Sequence, residues 1–512
     1  MTEQIRPSPE AFLRAARRGN VVPVYRQILA DFETPLSAYL KLEGRGPAYL
    51  LESVEQGERL GRYSFLGSSP SWVLESKGKK MRLTGSSRLA GSRKSRVWTS
   101  SSDPFDELEQ LLATYRPVAV PGLPRFSGGL VGYAGYETVR FLEPIGPEKP
   151  DRLQVPDSVW FLSDALVIFD HLEHQMKVVA NALIPSGSTA SLKQRARGAY
   201  LKAAQRVDGM VRQLQKTLPH SLSAEHGGKA RGKALAVRSN IRRSTFTRAV
   251  RRAKQAISEG ETIQIVLSQR FQVPIRCSAF QIYRALRSLN PSPYMFHLDL
   301  GSFQLVGSSP EILVRCEDGV VETRPIAGTR RRGKSPSADR EIEEGLKRDP
   351  KERAEHLMLA DLGRNDIGRV CEYGSVKVND LMTVERYSHV MHLVSDVVGK
   401  LRKGKDAFDV FRAAFPAGTV TGAPKVRAMQ IINQLEPDAR GPYAGAVGYI
   451  GFTGNLDTCI TIRTVLVKGK KATVQAGAGI VADSKPEREY EETKAKAAGM
   501  LEAIRLAEQG LT

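Results

Sequence analysis

Two pairs of short apolar runs, each pair flanking a polar turn, place the strongest constraint on the fold. One pair spans 164–170 and 176–183, and the other spans 445–452 and 458–467. Runs of this length joined by a short polar turn are typical of β-hairpins. We therefore predict that antiparallel β-sheets form much of the core, with helices around them.

The chain has 512 residues, which is too long for one ordinary domain. Residues 1–184 have the pattern of a mixed α/β region. Residues 185–240 begin with a helical pattern and continue with a stretch rich in Ser, Gly, Lys and Arg, which is typical of a linker. Residues 241–512 combine strands and helices. The sequence therefore predicts an N-terminal region, a linker and a C-terminal region with these bounds.

Two predicted helices frame the C-terminal region. Ser244 or Thr245 is expected to cap the first helix, which ends at Gly260. The second helix covers about 485–509 and closes the chain.

The chain carries a net charge of +21, which raises the question of nucleic-acid binding. Its basic residues concentrate at 77–96 and 229–254 and lack the interleaved aromatic side chains of a single-strand binding groove. The apolar runs are too short to cross a membrane, and the N-terminus lacks the pattern of a signal peptide. We expect a cytoplasmic protein that binds neither nucleic acid nor membrane.

The last predicted helix carries two acids and a lysine on one face. Helical spacing places Glu489, Glu492 and Lys496 within about 60° of one another. Two facing carboxylates favour a hard divalent cation such as Mg²⁺, whereas a solvated acidic face is the simpler alternative for this segment alone. Glu355, on another predicted helix that is largely apolar, is the natural third carboxylate for such a site.

Two glycine-rich segments and one arginine suggest an anion site. Residues 418–425 precede a predicted helix, where exposed amides can hold an anion, although their spacing is not that of a Walker loop. Residues 475–480 place glycines inside a predicted strand, where a ligand can approach the backbone. Arg463, in an apolar predicted strand, requires an anionic partner, either a structural acid or a substrate carboxylate.

A short sequence occurs twice. Residues 65–71 read Phe-Leu-Gly-Ser-Ser-Pro-Ser and residues 305–311 read Leu-Val-Gly-Ser-Ser-Pro-Glu. Both copies predict a strand that ends in the same turn. They indicate either similar units in the two halves of the chain or only shared turn chemistry. The second copy alone ends in a carboxylate, Glu311.

Taken together and in this order, the segments from about Ser244 to Lys496 resemble the family of chorismate-utilising enzymes. Residues 50–53 and 61–65 resemble the tryptophan-binding region of the family members that make anthranilate. The resemblance implies an α+β fold in which antiparallel sheets form a two-layered sandwich core wrapped by helices. It also implies chorismate, which carries two carboxylates, as the substrate and Mg²⁺ as the cofactor.

The resemblance also assigns roles to residues of this sequence. Glu311 is the implied general acid that protonates the departing 4-hydroxyl, and His392 matches the active-site histidine of the family. The implied substrate-binding residues are Gly328, Thr419, Tyr443, Arg463, Gly477, Gly479 and Lys496. The implied Mg²⁺ ligands are Glu355, Glu492 and Glu489, the last bound directly or through water.

Two positions distinguish between members of the family. Gln264 lies where water-adding members carry a lysine base; because glutamine cannot act as a base, ammonia is the implied nucleophile. Ala327 replaces a lysine that is typical of members making aminodeoxychorismate. The resemblance therefore implies conversion of chorismate and ammonia to anthranilate and pyruvate, the first step of tryptophan biosynthesis, with aminodeoxychorismate formation as the alternative.

The resemblance further implies feedback inhibition by tryptophan. The residues that would bind tryptophan are Glu52, Ser53, Pro293, Tyr294, Met295, Val447 and Tyr449. A strand end packed on a proline-rich loop is the simpler alternative. Because no glutamine amidotransferase domain is recognisable in the sequence, ammonia is expected from a partner amidotransferase subunit (component II). We expect a heterotetramer of two large and two small subunits.

Overall fold

The computed structural model describes seven stretches of the chain. They are residues 4–44, 46–53, 61–85, 95–186, 191–218, 235–386 and 390–511. Within the predicted linker region, 185–240, residues 187–190 and 219–234 lie outside these described residues. None of the described helices is long and apolar enough to cross a membrane.

The described strands form two antiparallel sheets of twelve strands each. The first sheet has the spatial order β1 (Val21–Leu29), β10 (Gln175–Leu183), β9 (Ala165–Asp170), β3 (Tyr63–Ser68), β2 (Ala48–Glu52), β13 (Tyr294–Asp299), β14 (Gln304–Ser309), β23 (Thr464–Lys468), β24 (Lys471–Ile480), β12 (Gln264–Pro274) and β11 (Arg238–Ser239), with β20 (Gly422–Ala423) also paired to β12. Both ends of the chain therefore contribute to one sheet.

The second sheet is built in the same way. Its spatial order is β17 (Ile326–Arg331), β19 (Val390–Lys400), β16 (Val320–Thr323), β15 (Ile312–Glu317), β22 (Leu456–Ile460), β21 (Ala446–Gly451), β7 (Gly129–Ala134), β8 (Ser158–Ser163), β4 (Trp72–Lys77), β5 (Lys80–Gly85) and β6 (Arg96–Thr99), with β18 (Lys377–Arg386) also paired to β19. Each sheet combines strands from 1–184 with strands from 241–512, and the division of the chain at 184 and 240 stays a prediction.

Helices cover the outer faces of the two sheets. The α-helices are α1 (Pro9–Ala15), α2 (Pro35–Leu42), α3 (Pro104–Ala113), α4 (Leu192–Leu214), α5 (Arg243–Ser258), α6 (Ala279–Leu289), α7 (Pro336–Arg348), α8 (Pro350–Gly368), α9 (Ala407–Ala414), α10 (Lys425–Leu435) and α11 (Pro486–Gln509). Helices α1, α2, α4, α6 and α11 pack on the first sheet, whereas α3, α8 and α9 pack on the second. A third apolar core lies between the sheets. The predicted sandwich wrapped by helices is confirmed.

The predicted hairpins are only partly confirmed. Strands β9 and β10 pair as predicted, and β21 pairs with β22. The predicted strand 458–467 is wrong, because the chain leaves the second sheet after Ile460 and enters the first sheet at Thr464. The predicted cap of α5 is also wrong: the helix begins at Arg243 with Arg242 as its N-cap, and no side chain caps it. Burial of its apolar face on the core explains why it forms without a side-chain cap.

The two halves of the chain repeat one arrangement of strands. Reading outward from the centre of the first sheet, the order β2, β3, β9, β10, β1 on one side matches β13, β14, β23, β24, β12 on the other. In the second sheet, β7, β8, β4, β5, β6 match β21, β22, β15, β16, β19. Helices α4 and α11 follow the matching strands β10 and β24. The structure therefore contains an internal repeat with a pseudo-twofold arrangement.

The two copies of the short repeated sequence occupy equivalent places in this repeat. Each begins in a strand of the first sheet, β3 or β14, and leads into a strand of the second sheet, β4 or β15. Tyr49 of β2 lies opposite Gly67, and Phe296 of β13 lies opposite Gly307. In both cases the aromatic ring occupies the space where a side chain on the glycine would stand. Similar structural units in the two halves therefore explain the repeated sequence better than shared turn chemistry alone.

We predict that Gly307→Ala destabilises the protein, because the new methyl group would overlap the buried Phe296 ring. Overpacking of this kind costs about 1–3 kcal/mol, which a shift in the midpoint of urea denaturation would reveal. Gly198→Ala is the matched control, since a methyl group there meets open space on α4 and gains helix propensity of about 0.5–1 kcal/mol. Equal midpoints for the two variants would contradict the claim that Gly307 leaves room for the Phe296 ring.

Candidate active site and regulatory pocket

Two neighbouring crossovers between the sheets place the central charged residues of the site. The chain passes from β14 to β15 at Pro310–Glu311, and from β22 to β23 at Thr461–Arg463. The Ser308 amide donates to the Arg463 carbonyl at 3.1 Å, and the Ile460 amide donates to the Glu311 carbonyl at 3.0 Å. These bonds tie the crossovers together, and Arg463 has a φ of 47°, which is uncommon for a residue with a side chain.

A cavity of about 610 Å³ opens beside these crossovers. It gathers eleven of the thirteen residues to which the resemblance assigns catalytic, substrate-binding or metal-binding roles. They are Gln264, Glu311, Glu355, His392, Thr419, Tyr443, Arg463, Gly477, Gly479, Glu492 and Lys496. The remaining two, Gly328 and Glu489, lie outside its lining. Residues from both crossovers and from the helices α8 and α11 thus meet around one space.

The pairing of β12 with β24 forms one wall of the cavity. Val266 lies opposite Gly479 and Ser268 opposite Gly477, so both glycines share a face with Gln264. A side chain at 479 would approach the Gln264 Nε2 to 2.7 Å, and one at 477 would approach the Tyr443 hydroxyl to 2.5 Å. The two glycines therefore leave room for the polar ends of Gln264 and Tyr443.

Glu311 has the electrostatics of a proton donor. Burial raises the pKa of Glu311 to about 7, while the Thr419 hydroxyl, Arg463 and Lys496 pull that pKa in the opposite direction. A carboxyl group that is partly protonated near neutral pH can supply a proton to a leaving group. The crossover thus places Glu311 where partial removal from water keeps its carboxyl group protonated at higher pH than usual.

His392 lies on β19 beside the predicted Gly328. Its Nδ1 is 3.0 Å from the Thr329 hydroxyl and 3.3 Å from the Gly328 carbonyl. Burial, reinforced by the nearby Arg463, lowers the pKa of His392, so the ring is neutral at neutral pH. Gly328 therefore contributes to the site by holding the histidine through its carbonyl. The nearby His389 lies outside the described residues.

Two of the three acidic residues implied as metal ligands, Glu355 and Glu492, line the cavity from different helices. Glu355 of α8 accepts a hydrogen bond from Gln264 Nε2 at 3.3 Å, and Glu492 of α11 pairs with Lys496 at 2.7 Å. Glu489 is buried, and its Oε2 has no hydrogen-bond partner among the residues that the structure describes. Burial raises the pKa of Glu489, and the neighbouring Glu492 adds to that rise.

Within the described stretches, no three His, Cys, Asp or Glu side chains lie close enough together to form a metal site on their own. Glu355 and Glu492 nevertheless face the same cavity. Mg²⁺ commonly takes only one or two carboxylates and completes its shell with water and substrate oxygens. The donor set, with the orphaned Glu489 oxygen close by, therefore fits Mg²⁺ in the presence of an anionic substrate.

A second cavity, of about 120 Å³, lies between the central strands of the two sheets. Its lining includes all seven residues that the resemblance assigns to tryptophan, namely Glu52, Ser53, Pro293, Tyr294, Met295, Val447 and Tyr449. The buried Glu52 accepts hydrogen bonds from Tyr283 and Arg287. Burial raises the pKa of Glu52, against the opposing effect of Arg287. The cavity thus presents the Glu52 carboxylate beside aromatic and apolar side chains.

One loop separates the two cavities. Residues 290–293 line the large cavity, and Pro293 with Tyr294 and Met295 lines the small one. The Ser308 hydroxyl, on the strand that leads to Glu311, bonds to the Asn290 carbonyl and to the Ser292 hydroxyl. The loop therefore contacts both cavities and the crossover that carries Glu311.

Sequence reasoning missed several lining residues. Val266 and Gln475 follow from the alternation of strand faces once Gln264 and Gly477 are placed. Arg125, Arg315 and Asp457 line the small cavity and form a buried ionic network with Tyr294. No local motif marks these three, because they meet only when distant strands pair.

The chain matches the family model described as chorismate binding enzyme over residues 46–502. It is 48% identical to anthranilate synthase component 1 of Synechocystis, with 98% of this chain and 99% of that protein covered. The corresponding protein of Aquifex aeolicus is 46% identical, with 98% of both chains covered. The chain therefore belongs to the chorismate binding enzymes.

A solved structure supports the same assignment. Anthranilate synthase component I from Streptococcus pneumoniae matches with a TM-score of 0.74 and 34% identity, covering 93% of this chain and 99% of that one. The menaquinone-specific isochorismate synthase of Escherichia coli shares the fold, with a TM-score of 0.67 and 20% identity. Within its family the chain groups with the anthranilate synthase component 1 proteins, and the predicted anthranilate-synthase-like α+β fold is confirmed.

We predict that Glu311→Gln stabilises the fold at high pH. The folded pKa of Glu311, about 7, exceeds the ordinary pKa of a glutamate, 4.5, so ionisation opposes folding as pH rises through this interval. The glutamine variant should therefore match the wild type below about pH 4.5 and exceed it above pH 7, by up to about 3 kcal/mol. Thermal melts at several pH values test this. Glu341→Gln, at an exposed position, is the control; a gap between wild type and Glu311→Gln that does not change with pH would contradict the assignment.

Proposed function

We propose that this chain converts chorismate and ammonia to anthranilate, pyruvate and water. The observation that carries the proposal is the half-buried, readily protonated Glu311 near Arg463 in a cavity that also exposes Glu355 and Glu492. A dianionic ring compound with a departing hydroxyl requires such a combination of acid, cation and metal-binding carboxylates. The identity of 43–48% to anthranilate synthase component 1 proteins supports the choice of product.

In this proposal Arg463 and Tyr443 bind the enolpyruvyl carboxylate, with help from Thr419 and the backbone at Gly477 and Gly479. The proximity of Tyr443 to the Gly477 backbone supports this role. Lys496 donates to the Gly477 carbonyl at 3.1 Å while it pairs with Glu492, so it links the anion-binding wall to the acidic helix. The substrate is thereby oriented with its two carboxylates at opposite ends.

The chemistry balances with one proton donor. Ammonia adds at ring C2, and the 4-hydroxyl leaves as water with the proton of Glu311. The ammonium group formed at C2 then returns one proton to the Glu311 carboxylate. Loss of the C2 proton and cleavage of the ether bond release enolpyruvate, which takes up one proton to become pyruvate, and the ring becomes aromatic. His392, neutral at neutral pH, lies beside this space and can accept or orient a proton.

We propose Mg²⁺ as the cofactor, held by Glu355 and Glu492, with Glu489 binding directly or through water. When bound there, the ion would neutralise the ring carboxylate and stabilise the charge that builds up as the ring accepts the nucleophile. The unpaired Glu489 oxygen and the shared cavity face of Glu355 and Glu492 support this ligand set.

Ammonia as the nucleophile is supported by Gln264, which is anchored on Glu355 and cannot serve as a base. The name component 1 implies a second component for the relatives. We propose an amidotransferase partner that supplies ammonia from glutamine, in a cytoplasmic heterotetramer. Ala327 lines the large cavity where aminodeoxychorismate-forming members carry a lysine, and this favours anthranilate over that alternative.

The activity test is incubation of the purified chain with chorismate, Mg²⁺ and ammonium. We expect the blue fluorescence of anthranilate and equimolar pyruvate. Chelation of the metal with EDTA should abolish the product, and added Mg²⁺ should restore it. Glu311→Gln should reduce the rate by about 10²–10⁴-fold, the usual value of a positioned general acid. Accumulation of aminodeoxychorismate instead of anthranilate would show that the chain catalyses the alternative reaction.

We also propose that tryptophan inhibits the reaction from the small cavity, with Glu52 binding its amino group. Glu52→Ala should keep the rate without tryptophan and weaken inhibition by at least about tenfold, since a charged hydrogen bond contributes about 1.5–3 kcal/mol. Glu43→Ala, which removes an exposed carboxylate outside that cavity, is the control. Unchanged inhibition in Glu52→Ala would show that tryptophan binds elsewhere.

A further inference from the structure

A buried arginine outside the predicted site connects three parts of the large cavity. Arg440 is 1% exposed, and Glu436, four residues earlier at the end of α10, is 6% exposed. The Arg440 Nε and Nη2 donate to the two oxygens of Glu436 at 2.9 and 2.7 Å. This fixes the plane of the guanidinium group by a two-pronged ion pair.

The remaining donors of Arg440 hold backbone that lines the cavity. Nη2 donates to the Val266 carbonyl on β12 at 2.7 Å, and Nη1 donates to the Val420 carbonyl at 2.8 Å. Val266 and Val420 both line the cavity, and Val420 follows Thr419. The guanidinium carbon also lies 5.5 Å from the centre of the Tyr443 ring. Arg440 thus contacts three elements that surround the substrate space.

Glu436 extends this set of contacts. Its Oε1 accepts hydrogen bonds from the Ser268 amide and hydroxyl, both at 2.8 Å, and the Ser268 hydroxyl accepts one from Gln475 of β24 at 2.9 Å. Gln475 lines the cavity as well. The pair therefore fixes β12 at Val266 through the arginine and at Ser268 through the glutamate.

The internal repeat shows that the sheets do not require this pair. In the N-terminal half, residues 114–128 connect α3 to β7. The equivalent connection from α9 to β21, residues 415–445, is longer and includes α10, Glu436 and Arg440. The matching strands form the same sheets without the insertion. The arginine and the glutamate occur only in the half that carries the large cavity.

We infer that Arg440, oriented by Glu436, is a positioning residue that sets the distance between Thr419, Tyr443 and the β12–β24 wall around the substrate carboxylate. Arginine suits this position because four of its five N–H groups are used in different directions. Lysine offers three donors from one point and cannot span the same acceptors. The inference rests on the proposed function, because it gives Arg440 a role on the side of the cavity where the substrate carboxylate is proposed to bind.

The test compares Arg440→Lys with the wild type in two assays. In anthranilate formation with saturating ammonium, the KM for chorismate should rise by about 10- to 100-fold, the cost of misplacing binding groups by about an ångström, and kcat should fall by less. Calorimetric titration with chorismate and Mg²⁺, without ammonia, should show the same loss of affinity. Tryptophan affinity should stay at the wild-type value, because Arg440 does not line the small cavity.

Arg412→Lys is the matched control. Arg412 also makes several ion pairs, to Asp103, Asp106 and Glu109, and it joins α9 to α3 without lining either cavity. It should lower thermal stability and leave the chorismate KM unchanged. An unchanged KM in Arg440→Lys, or an equal rise in both variants, would overturn the inference.

A second variant covers the case in which Arg440→Lys does not fold. Glu436→Gln keeps the size of the side chain but turns one acceptor into a donor facing the arginine, so it should loosen Arg440 and raise the KM in the same direction. Arg440→Ala should in addition regain chorismate affinity when guanidinium ions are added, and not when ammonium ions are added. Wild-type protein that binds chorismate but forms no anthranilate would contradict the proposed reaction, and the binding comparison would still decide on Arg440.

Discussion

The candidate active site depends on one constraint. Two neighbouring strands of the first sheet, β14 and β23, are each connected to a strand of the second sheet at the same place. Residues leaving a sheet lose their pairing partners, and here the crossovers supply them to each other through the Ser308–Arg463 and Ile460–Glu311 backbone bonds. An acid and a cation are thereby held at the passage between the two sheets, both half-buried. That location gives Glu311 its raised pKa, and it brings both side chains to the cavity walls formed by β12 and β24.

The internal repeat explains why the two cavities differ. Only the C-terminal half carries the insertion of β17, α7, α8 and β18 between β16 and β19, and this insertion supplies Gly328 and Glu355. The N-terminal half has Ser71 where the second copy has Glu311, and hence lacks the acid. The small cavity lies where the halves meet, between β2, β13 and β21. The proposed catalytic residues thus belong to one half, whereas the proposed regulatory pocket belongs to both.

Much of the fold and most residues of the candidate site could be predicted from the sequence, for identifiable physical reasons. The hairpin around 171–174 and the closing helix α11 were predicted correctly. Both depend on the spacing of apolar residues and on turn residues, which can be recognised within a few positions. The segment 458–467 was wrong because an apolar run does not reveal at which residue it changes sheets. Ordered matches to the family placed Glu311 and Glu355, which no local pattern joins. Arg440 and the Arg315–Asp457 pair were missed because their meaning arises only from contacts between distant segments.

The interleaving of the two halves also affects how the protein is made. Tyr133 of β7 pairs with Val447 of β21, so the central strand pair of the second sheet cannot form until more than three hundred further residues have been synthesised. At common rates of translation this delay is roughly 15–60 s. During that time the nascent chain presents an unpaired, fully apolar strand edge, the type of surface that other chains can recruit. Shielding of this edge during synthesis is therefore a requirement of its own, separate from the stability of the finished sheet.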